Sequence, residues 1–243
     1  MKHVFRFFGK LTDQQSPFVW EITDDENHHL QKVIKLKVGD ALEVQNLEGH
    51  WSKAIISEIL KTKTIAHAMS VEKQSALSSS VHVVLGALKP ADLDDVLPSL
   101  VELGVTKISL FLAGQDSKHR VSEKNQERWQ RILLNAAKQC KRAGIPKLTS
   151  YNSLSDLLDK SNFTNEIKVV FDPSAKKSVS QLIPSEISQG LCIAIGSEAG
   201  FSEKEVKLLH SYGFQGVQCG PFILRGLTAA ILAGSLGLSV LKS

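Results

Sequence analysis

Cysteine, long apolar runs and nucleotide-binding glycine motifs are scarce or absent in this chain of 243 residues. Three cysteines, odd in number and without a C-x-x-C pair, argue against a disulfide framework and against a zinc site. No apolar run reaches the roughly 18 residues of a membrane-spanning helix. Charges at Lys2, Arg6 and Lys10 fall where a signal peptide needs an apolar core. We therefore expect a protein of the reducing cytoplasm, with no membrane segment and no metal.

The chain also lacks G-x-G-x-x-G and the G-K-[ST] of a phosphate-binding loop. Dinucleotides and nucleoside triphosphates bound in the usual ways are therefore not expected. Hydrophobic residues make up 42% of the chain and charged residues 22%. This composition is typical of an ordinary folded protein and excludes extensive disorder.

Positive charge is concentrated in one stretch rather than spread along the chain. The formal net charge is +4, and residues 1–75 are balanced, with 10 basic and 10 acidic side chains. Residues 107–147, by contrast, hold 10 basic and 3 acidic side chains. A solvated surface and a polyanion-binding surface explain such a cluster equally well.

The first seventy-odd residues have the pattern of a small β-barrel. β-branched and aromatic residues predict strands at 4–8, 18–22, 41–46 and 50–59, and one short helical piece is expected around His29, Leu30, Val33 and Ile34. The polar, serine-rich stretch at 70–80 is the best candidate for a linker. We therefore predict a domain at 1–72 and a second domain at 73–243.

The second part alternates between strands and helices. Apolar runs predict buried parallel strands at 81–85, 108–112, 169–171, 192–195 and 216–219. A helix is expected to end near Gly104, with Pro98 either kinking it or marking its first turn. Another begins after Ser122, buries a face from Trp129 to Cys140, and ends before Gly144 and Pro146. A capping box of Ser202 and Glu205 begins a third, which closes at Gly213. Such alternation is typical of an α/β domain with a mainly parallel sheet.

The last predicted helix, at 227–241, is apolar on nearly every side and rich in small residues. A helix that is hydrophobic all round is buried. Because it lies near the end of the sequence, it is expected to pack on its own sheet and on a second subunit, which predicts a homodimer.

Two predicted strands end in glycine-bearing turns, at 195–202 and 219–225. Ligands of an open parallel sheet bind beyond the carboxyl ends of its strands, and glycine lets the backbone approach a ligand closely. Two ordinary tight turns between strand and helix would explain the same pattern.

These turns carry a resemblance to a known family. I-G-S-E-A-G-F-S at 195–202 and G-P-F-I-L-R at 220–225 resemble the motifs of the RsmE family, SPOUT-class enzymes that methylate N3 of a uridine in 16S ribosomal RNA of the small subunit. H-H-L at 28–30, E-L-G at 102–104 and A-A-K-Q at 136–139 match further motifs of that family in the same order. The likeness covers essentially the whole chain.

The resemblance implies a fold, a cofactor and an assembly. It implies a PUA-like β-barrel followed by a SPOUT α/β domain with a C-terminal trefoil knot at about 168–243. It further implies an obligate homodimer through the knotted domain, and S-adenosylmethionine held in a bent shape by the knot loops. The implied cofactor-binding residues are Asp172, Gly196, Ser197, Glu198, Gly200, Cys219, Gly220, Ile223 and Leu224.

Arg225 is the candidate catalytic residue, because a guanidinium there would favour the uracil anion. The alternative is that Arg225 pairs with an acidic residue of the knot. Glu198 either hydrogen-bonds the cofactor or caps the helix beginning near Ser202, and Cys219 is interpreted as a packing residue. No residue is identified as the general base.

Several residues depart from the family pattern. Ala199 replaces a family glycine, which predicts strain if that position has a positive φ, and Leu227 replaces an acidic residue. The other departures are Ser197 for proline, Ser99 for lysine, Lys35 for arginine and Asn135 for glutamate.

Ribosomal RNA of the small subunit is the predicted partner. The expected phosphate contacts are Arg6, Lys35, Lys118, Arg120, Arg128, Arg131, Lys138, Lys141 and Arg142. Two alternatives stay open: a protein that binds ribosomal RNA without catalysis, and a SPOUT methyltransferase that acts on another RNA.

Overall fold

A computed structural model of the chain describes residues 4–74, 79–112, 122–163, 166–181 and 190–238. It divides into two units. The first comprises Met1–Ala76 and Ala137–Ile145, and the second comprises Leu77–Ala136 and Pro146–Ser243. The sequence prediction assigns residues 137–145 to the second domain, whereas the structure groups them with the first unit.

The described residues of the first unit form one seven-stranded sheet. Its strands are β1 (Arg6–Phe8), β2 (Lys10–Asp13), β3 (Phe18–Thr23), β4 (Ala41–Gln45), β5 (His50–Ile59), β6 (Lys63–Ala68) and β7 (Glu72–Lys73). They run in the order β1-β4-β5-β6-β3-β2, and β7 pairs with β5. The predicted strands at 18–22, 41–46 and 50–59 are confirmed within one residue, and the one at 4–8 begins two residues later. The sequence prediction missed β2, β6 and β7; β2 and β7 are short and rich in charged residues, and β6 has only one large apolar residue, Ile65.

Gly9 shows that this sheet closes on itself. It is the single residue between β1 and β2, which lie at opposite edges of the sheet. A Cβ at Gly9 would lie 2.8 Å from Val44 Cγ2 and 3.0 Å from the Glu21 carbonyl oxygen, so strands β4 and β3 meet there. The sheet is therefore a barrel, filled by a core that includes Phe7, Trp20 and Leu42.

A helical segment interrupts the barrel between β3 and β4, as predicted. α1 (Asp24–His28) continues directly into a π-helical turn at His29–Ile34. Leu30 is buried from this turn, and Lys35 ends it in the left-handed region with φ 61°.

The second unit contains a six-stranded sheet in which every neighbouring pair is parallel. Its strands are β8 (Ser80–Gly86), β9 (Lys107–Phe111), β10 (Lys147–Tyr151), β11 (Ile167–Phe171), β12 (Gly190–Ile195) and β13 (Gln215–Val217). Its helices are α2 (Pro90–Glu102), α3 (Glu123–Gln139), α4 (Leu154–Lys160), α5 (Glu203–Ser211) and α6 (Gly226–Leu238). The strand order is β10-β9-β8-β12-β11-β13, and the parallel α/β prediction is confirmed.

Several helix signals are confirmed in detail. Ser122 Oγ accepts the Asn125 N–H at 3.2 Å, and the Ser202–Glu205 capping box is present at the start of α5. Other details were wrong. Pro98 lies inside α2 and does not mark its first turn; Pro90 takes the first helical position, where a missing N–H costs nothing. Cys140 lies beyond the end of α3 and is exposed.

Further differences concern the strands. β13 ends at Val217, so Cys219 lies in the following loop rather than in the strand. The sequence prediction missed β10 and α4, whose short segments carry mixed polar and apolar residues.

α6 buries its small residues and leaves large ones partly open. A Cβ at Gly234 would lie 2.9 Å from Leu103 Cδ1, and one at Gly237 would lie 2.5 Å from Val81 Cγ1. These glycines therefore allow the helix to pack closely on α2 and β8. Leu238 is 48% exposed, and residues 239–241 of the predicted helix lie outside the described residues. None of the described helices has the length and apolar character to cross a membrane.

Candidate active site

A cavity of about 900 Å³ lies beyond the carboxyl ends of four neighbouring strands of the second unit. Its walls come from the loops that follow β8, β11, β12 and β13, and from the start of α6. Open parallel sheets bind ligands at this edge, and the volume lies within the usual range of small-molecule sites.

The turn after β12 is built from backbone in close contact with backbone. A Cβ at Gly196 would lie 2.6 Å from the Gly200 carbonyl carbon, and one at Gly86 would lie 2.4 Å from the Ser197 nitrogen. The Gly200 N–H donates to the Ser197 carbonyl oxygen at 2.8 Å. Any side chain at Gly196 would therefore force the turn open.

Ala199 occupies an unstrained position in this turn. The positive φ falls on Gly200, at 77°, and the described non-glycine residues with positive φ are Asp24, Lys35 and Lys141. The strain expected at Ala199 is therefore absent, because the glycine that the turn requires is the next residue.

The loop after β13 brings apolar side chains to the cavity. Gly220 lines it, and no atom lies within 4 Å of a Cβ built there, so the missing side chain leaves open space. Phe222 and Ile223 are 81% and 85% exposed at the same wall. Burial raises the pKa of the Cys219 thiol to about 11, so it stays protonated at neutral pH, which supports its interpretation as a packing residue.

Asp172 follows β11 and holds its own loop. Its Oδ1 accepts hydrogen bonds from the Ser174 N–H at 2.8 Å and from the Ser174 hydroxyl at 2.7 Å. Its backbone N–H donates to the Val217 carbonyl oxygen at 3.0 Å. These bonds fix the loop where it forms the cavity wall.

The charged groups of the cavity differ in their partners. Lys89 Nζ pairs with Glu198 Oε2 at 3.1 Å. Glu205, not Glu198, accepts the Ser202 N–H, so the capping role considered for Glu198 is wrong. The Arg225 guanidinium is exposed and has no ion pair or side-chain hydrogen bond within the described residues, contrary to the pairing alternative.

The structure brings every predicted cofactor-binding residue to this one cavity. Asp172, Gly196, Ser197, Glu198, Gly200, Cys219, Gly220, Ile223, Leu224 and Arg225 all line it. The sequence prediction missed Leu88, Lys89 and Asp92, which follow β8. They lie where a parallel strand passes into a helix, and this position beyond the carboxyl end of a strand could have identified them as candidate ligand-binding residues.

The predicted RNA contacts divide into four groups. Arg128 Nη2 pairs with Asp94 Oδ2 at 2.5 Å in the second unit, whereas Arg131 and Lys35 are exposed. Lys118 and Arg120 lie outside the described residues.

The fourth group is held inside the first unit. Arg6 pairs with Glu43 at 2.8 Å, donates to Gln45, and lies 5.1 Å from the Trp51 ring centroid. Lys141 Nζ also reaches Glu43, at 3.5 Å. Lys138 pairs with Glu26, and the Arg142 carbonyl oxygen accepts from Gln45 at 3.2 Å. Burial lowers the pKa of the Arg142 guanidinium below its ordinary value.

A buried polar cluster lies at the amino ends of the strands of the second unit. His82, Glu166 and Cys192 bring their ligand-type atoms within 4.8 Å of one another. The sequence prediction names no metal site. His82 Nε2 bonds Ser109 Oγ at 2.8 Å, and Lys107 Nζ lies 3.2 Å from Glu166 Oε1. Because an ammonium group already neutralises the carboxylate, we interpret the cluster as a core hydrogen-bond network.

Comparisons with known proteins agree with this geometry. Residues 75–237 match the family model described as RNA methyltransferase domain, and residues 22–66 match the RNA methyltransferase PUA domain. The chain is 31% identical over 224 residues to ribosomal RNA small subunit methyltransferase E of Buchnera aphidicola subsp. Schizaphis graminum (strain Sg), covering 88% of each chain. The protein of that name from Bacillus subtilis (strain 168) is 28% identical over 242 residues, 94% of this chain and 93% of the relative.

A solved structure shares the whole fold. Ribosomal RNA small subunit methyltransferase E from Neisseria gonorrhoeae, bound to S-adenosyl methionine, superposes with a TM-score of 0.84 over 96% of each chain at 21% identity. The first unit is thus a PUA-like domain and the second an α/β RNA methyltransferase domain. From the match to the family model over 75–237 and the 31% identity over most of the chain, this protein belongs to the ribosomal RNA small subunit methyltransferase E family.

Proposed function

We propose that this protein transfers a methyl group from S-adenosylmethionine to N3 of a uridine in small-subunit ribosomal RNA. The observation that carries the proposal is the single cavity in which all nine candidate cofactor residues and Arg225 meet. Its position at the carboxyl ends of β8, β11, β12 and β13 is where an α/β fold holds a small ligand.

The cavity residues fit S-adenosylmethionine by their chemistry. Ile195 and Leu224 offer apolar surface for a purine, and Gly220 leaves open space where a side chain would stand. Glu198 and Asp172 provide acceptors for the hydroxyl and amino groups of the ligand. When bound, S-adenosylmethionine supplies the electrophilic methyl group. We further propose that residues from about 168 onward form the trefoil knot of the SPOUT class.

Arg225 acts on the nucleobase in this proposal. Removing the N3 proton of uridine leaves negative charge on the two neighbouring oxygens, and a positioned guanidinium stabilises that charge. The Arg225 side chain has no partner within the described residues, so it is available to a ligand. Because Arg225 and the candidate cofactor residues line the same cavity, the target base must leave the RNA stack to enter it.

The protein acts as a homodimer in this proposal, and in the cytoplasm, where ribosomal RNA is found. α6 supports the dimer, since its small residues already pack on α2 and β8 while Leu238 stays exposed. Sedimentation of the purified protein tests it. A dimer is expected, and a monomer at micromolar concentration would contradict this part.

Two measurements test the activity. Calorimetric titration with S-adenosylmethionine and with its demethylated product is expected to give micromolar affinities. Small ribosomal subunits and transfer RNA are then incubated with the protein and labelled cofactor, and their nucleosides are separated by mass spectrometry. We expect 3-methyluridine from the small subunit alone. Label on transfer RNA, or on a different atom of the nucleotide, would refute the proposed substrate.

A further inference from the structure

Three carboxylates line the cavity, and two of them already have partners. Asp172 accepts hydrogen bonds from Ser174, and Glu198 pairs with Lys89. Asp92 is half-buried and has no hydrogen bond or ion pair in the part of the chain that the structure describes. A charged group that loses water without gaining a partner destabilises the fold, so its place in the cavity wall suggests a role toward a ligand.

Asp92 lies on α2 and Arg225 directly precedes α6, and packing places the starts of these two helices side by side. A Cβ at Gly226, which begins α6, would lie 2.7 Å from Leu88 Cδ2, just before α2. Further along α6, a Cβ at Gly234 would lie 2.9 Å from Leu103 Cδ1, just after α2. The two helices therefore run side by side in the same direction, and both begin at the cavity. Asp92 lies in the first turn of α2.

We propose that Asp92 is the general base that removes the N3 proton of the target uridine; this inference rests on the proposed function. The carboxylate accepts the proton, and the electron pair of the N3–H bond becomes available on N3. That pair forms the new bond between N3 and the methyl carbon. The bond from sulfur to the methyl carbon breaks, and its electrons stay on sulfur as a neutral thioether. The proton then passes from Asp92 to water.

Asp92 and Arg225 then have complementary tasks. The carboxylate takes the proton, while the guanidinium holds the negative charge that develops on the uracil oxygens. Leu227, on α6, lines the same cavity and replaces an acidic residue of the family pattern, so it cannot act as a base. In this proposal Asp92, on α2, supplies the carboxylate instead.

The test compares Asp92→Asn with Asp95→Asn, an exposed carboxylate on the same helix. At neutral pH we expect Asp92→Asn to lower the methylation rate by roughly 100- to 10,000-fold, the usual contribution of a general base. Its calorimetric affinity for S-adenosylmethionine and its affinity for RNA should match those of the unmodified protein. Asp95→Asn should change neither rate nor affinity.

Substrate acidity separates a base from a residue with a structural role. The Asp92→Asn defect should shrink as the pH rises, because the uridine imide then loses its proton to solvent. It should also shrink with RNA containing 5-fluorouridine, whose N3 proton is more acidic. A residue that only maintains the fold would respond to neither change.

Three outcomes would overturn the assignment. A near-normal rate for Asp92→Asn would remove it from the mechanism. Loss of cofactor affinity in that variant would make Asp92 a cofactor ligand, and an equal defect at every pH and on both RNAs would exclude proton transfer. An unmodified protein that binds cofactor but methylates no RNA would instead overturn the proposed function together with the base.

Discussion

Three basic side chains of the first unit and two cavity side chains of the second unit differ in whether they have charged partners. In the first unit, Arg6, Lys138 and Lys141 are tied to the carboxylates of Glu43 and Glu26. In the cavity of the second unit, Arg225 and Asp92 have no such partner within the described residues. Paired charges hold a structure together, whereas unpaired charges in a cavity are available to a ligand. Substitutions in the first unit should therefore change stability, and substitutions in the cavity should change chemistry.

After Asp92→Asn, the largest effect on chemistry in this comparison is expected from Arg225→Ala. Removing one positioned donor to a developing anion typically slows catalysis by about 100- to 1,000-fold. Because Arg225 is exposed and bonded to no other described side chain, the melting temperature and the cofactor affinity should stay unchanged. Single-turnover methylation, calorimetry and thermal unfolding measure the three quantities.

Lys204→Ala is the matched control, since Lys204 is exposed, does not line the cavity and is not among the predicted RNA contacts. Normal turnover of Arg225→Ala would remove it from the mechanism. A lowered melting temperature would show that its charge has a structural role after all.

A second contrast lies inside the turn after β12. Gly196→Ala places a Cβ 2.6 Å from backbone, so the turn must move. Overpacking of this kind typically costs about 1–3 kcal/mol, so cofactor affinity should fall by about tenfold or more. Ala199→Gly should leave affinity unchanged, because Ala199 has no positive φ. Tighter cofactor binding by Ala199→Gly would show that alanine strains the turn. Calorimetry decides both.

Arg6→Ala is expected to destabilise the first unit without affecting methyl transfer. Arg6 and Glu43 are each only 11% exposed, and removing the arginine takes both the ion pair and the Gln45 hydrogen bond. Loss of charged hydrogen bonds of this kind costs about 1–3 kcal/mol. The free energy of unfolding in urea measures this, with Lys10→Ala as the exposed control. Loss of RNA affinity without loss of stability would favour the phosphate-binding role instead.

The loss of unfolding free energy in Arg6→Ala should depend on pH because of Glu43. Burial alone raises the pKa of this carboxyl, but the hydrogen bonds and charges of Arg6 and Lys141 outweigh it, and the net pKa lies below 4.5. A depressed pKa stabilises the fold above the unfolded-state value, and that stability is lost as the pH falls through the folded-state value. The gap between Arg6→Ala and the unmodified protein should therefore be largest at neutral pH and close in acid. A gap that is constant with pH would exclude this pair as its source.

The two regions also differ in how far the sequence predicts them. The cavity residues are predictable because their motifs resemble those of a known family, and two of their glycines meet backbone requirements, the close approach at Gly196 and the positive φ at Gly200. The role of a cation is not predictable in this way, because Arg6 and Arg131 look alike in sequence. Only the fold shows that Glu43 lies beside Arg6.

The strands also differ in how well the sequence predicts them. Long apolar runs predict β8 and β12 well, whereas short strands with polar residues, such as β2 and β10, depend on tertiary pairing. Asp92 was missed for a related reason. Its residue type has no meaning until the packing of α6 on α2 brings it to the cavity that Arg225 also lines.

The smallest expected effect comes from the exposed arginines of α3. Arg131 is exposed, whereas Arg128 must leave Asp94 before it can hold a phosphate. If α3 binds RNA, Arg131→Ala should weaken binding by up to about fivefold, the value of one exposed ion pair of about 1 kcal/mol. It should also reduce the slope of log affinity against log salt by about 0.7. Fluorescence anisotropy across a salt series measures both, and Arg128→Ala should have the smaller effect on each. A larger loss for Arg128→Ala would mean that the ion pair with Asp94 positions the arginine for RNA, and the distinction between paired and available charges would then fail for this helix.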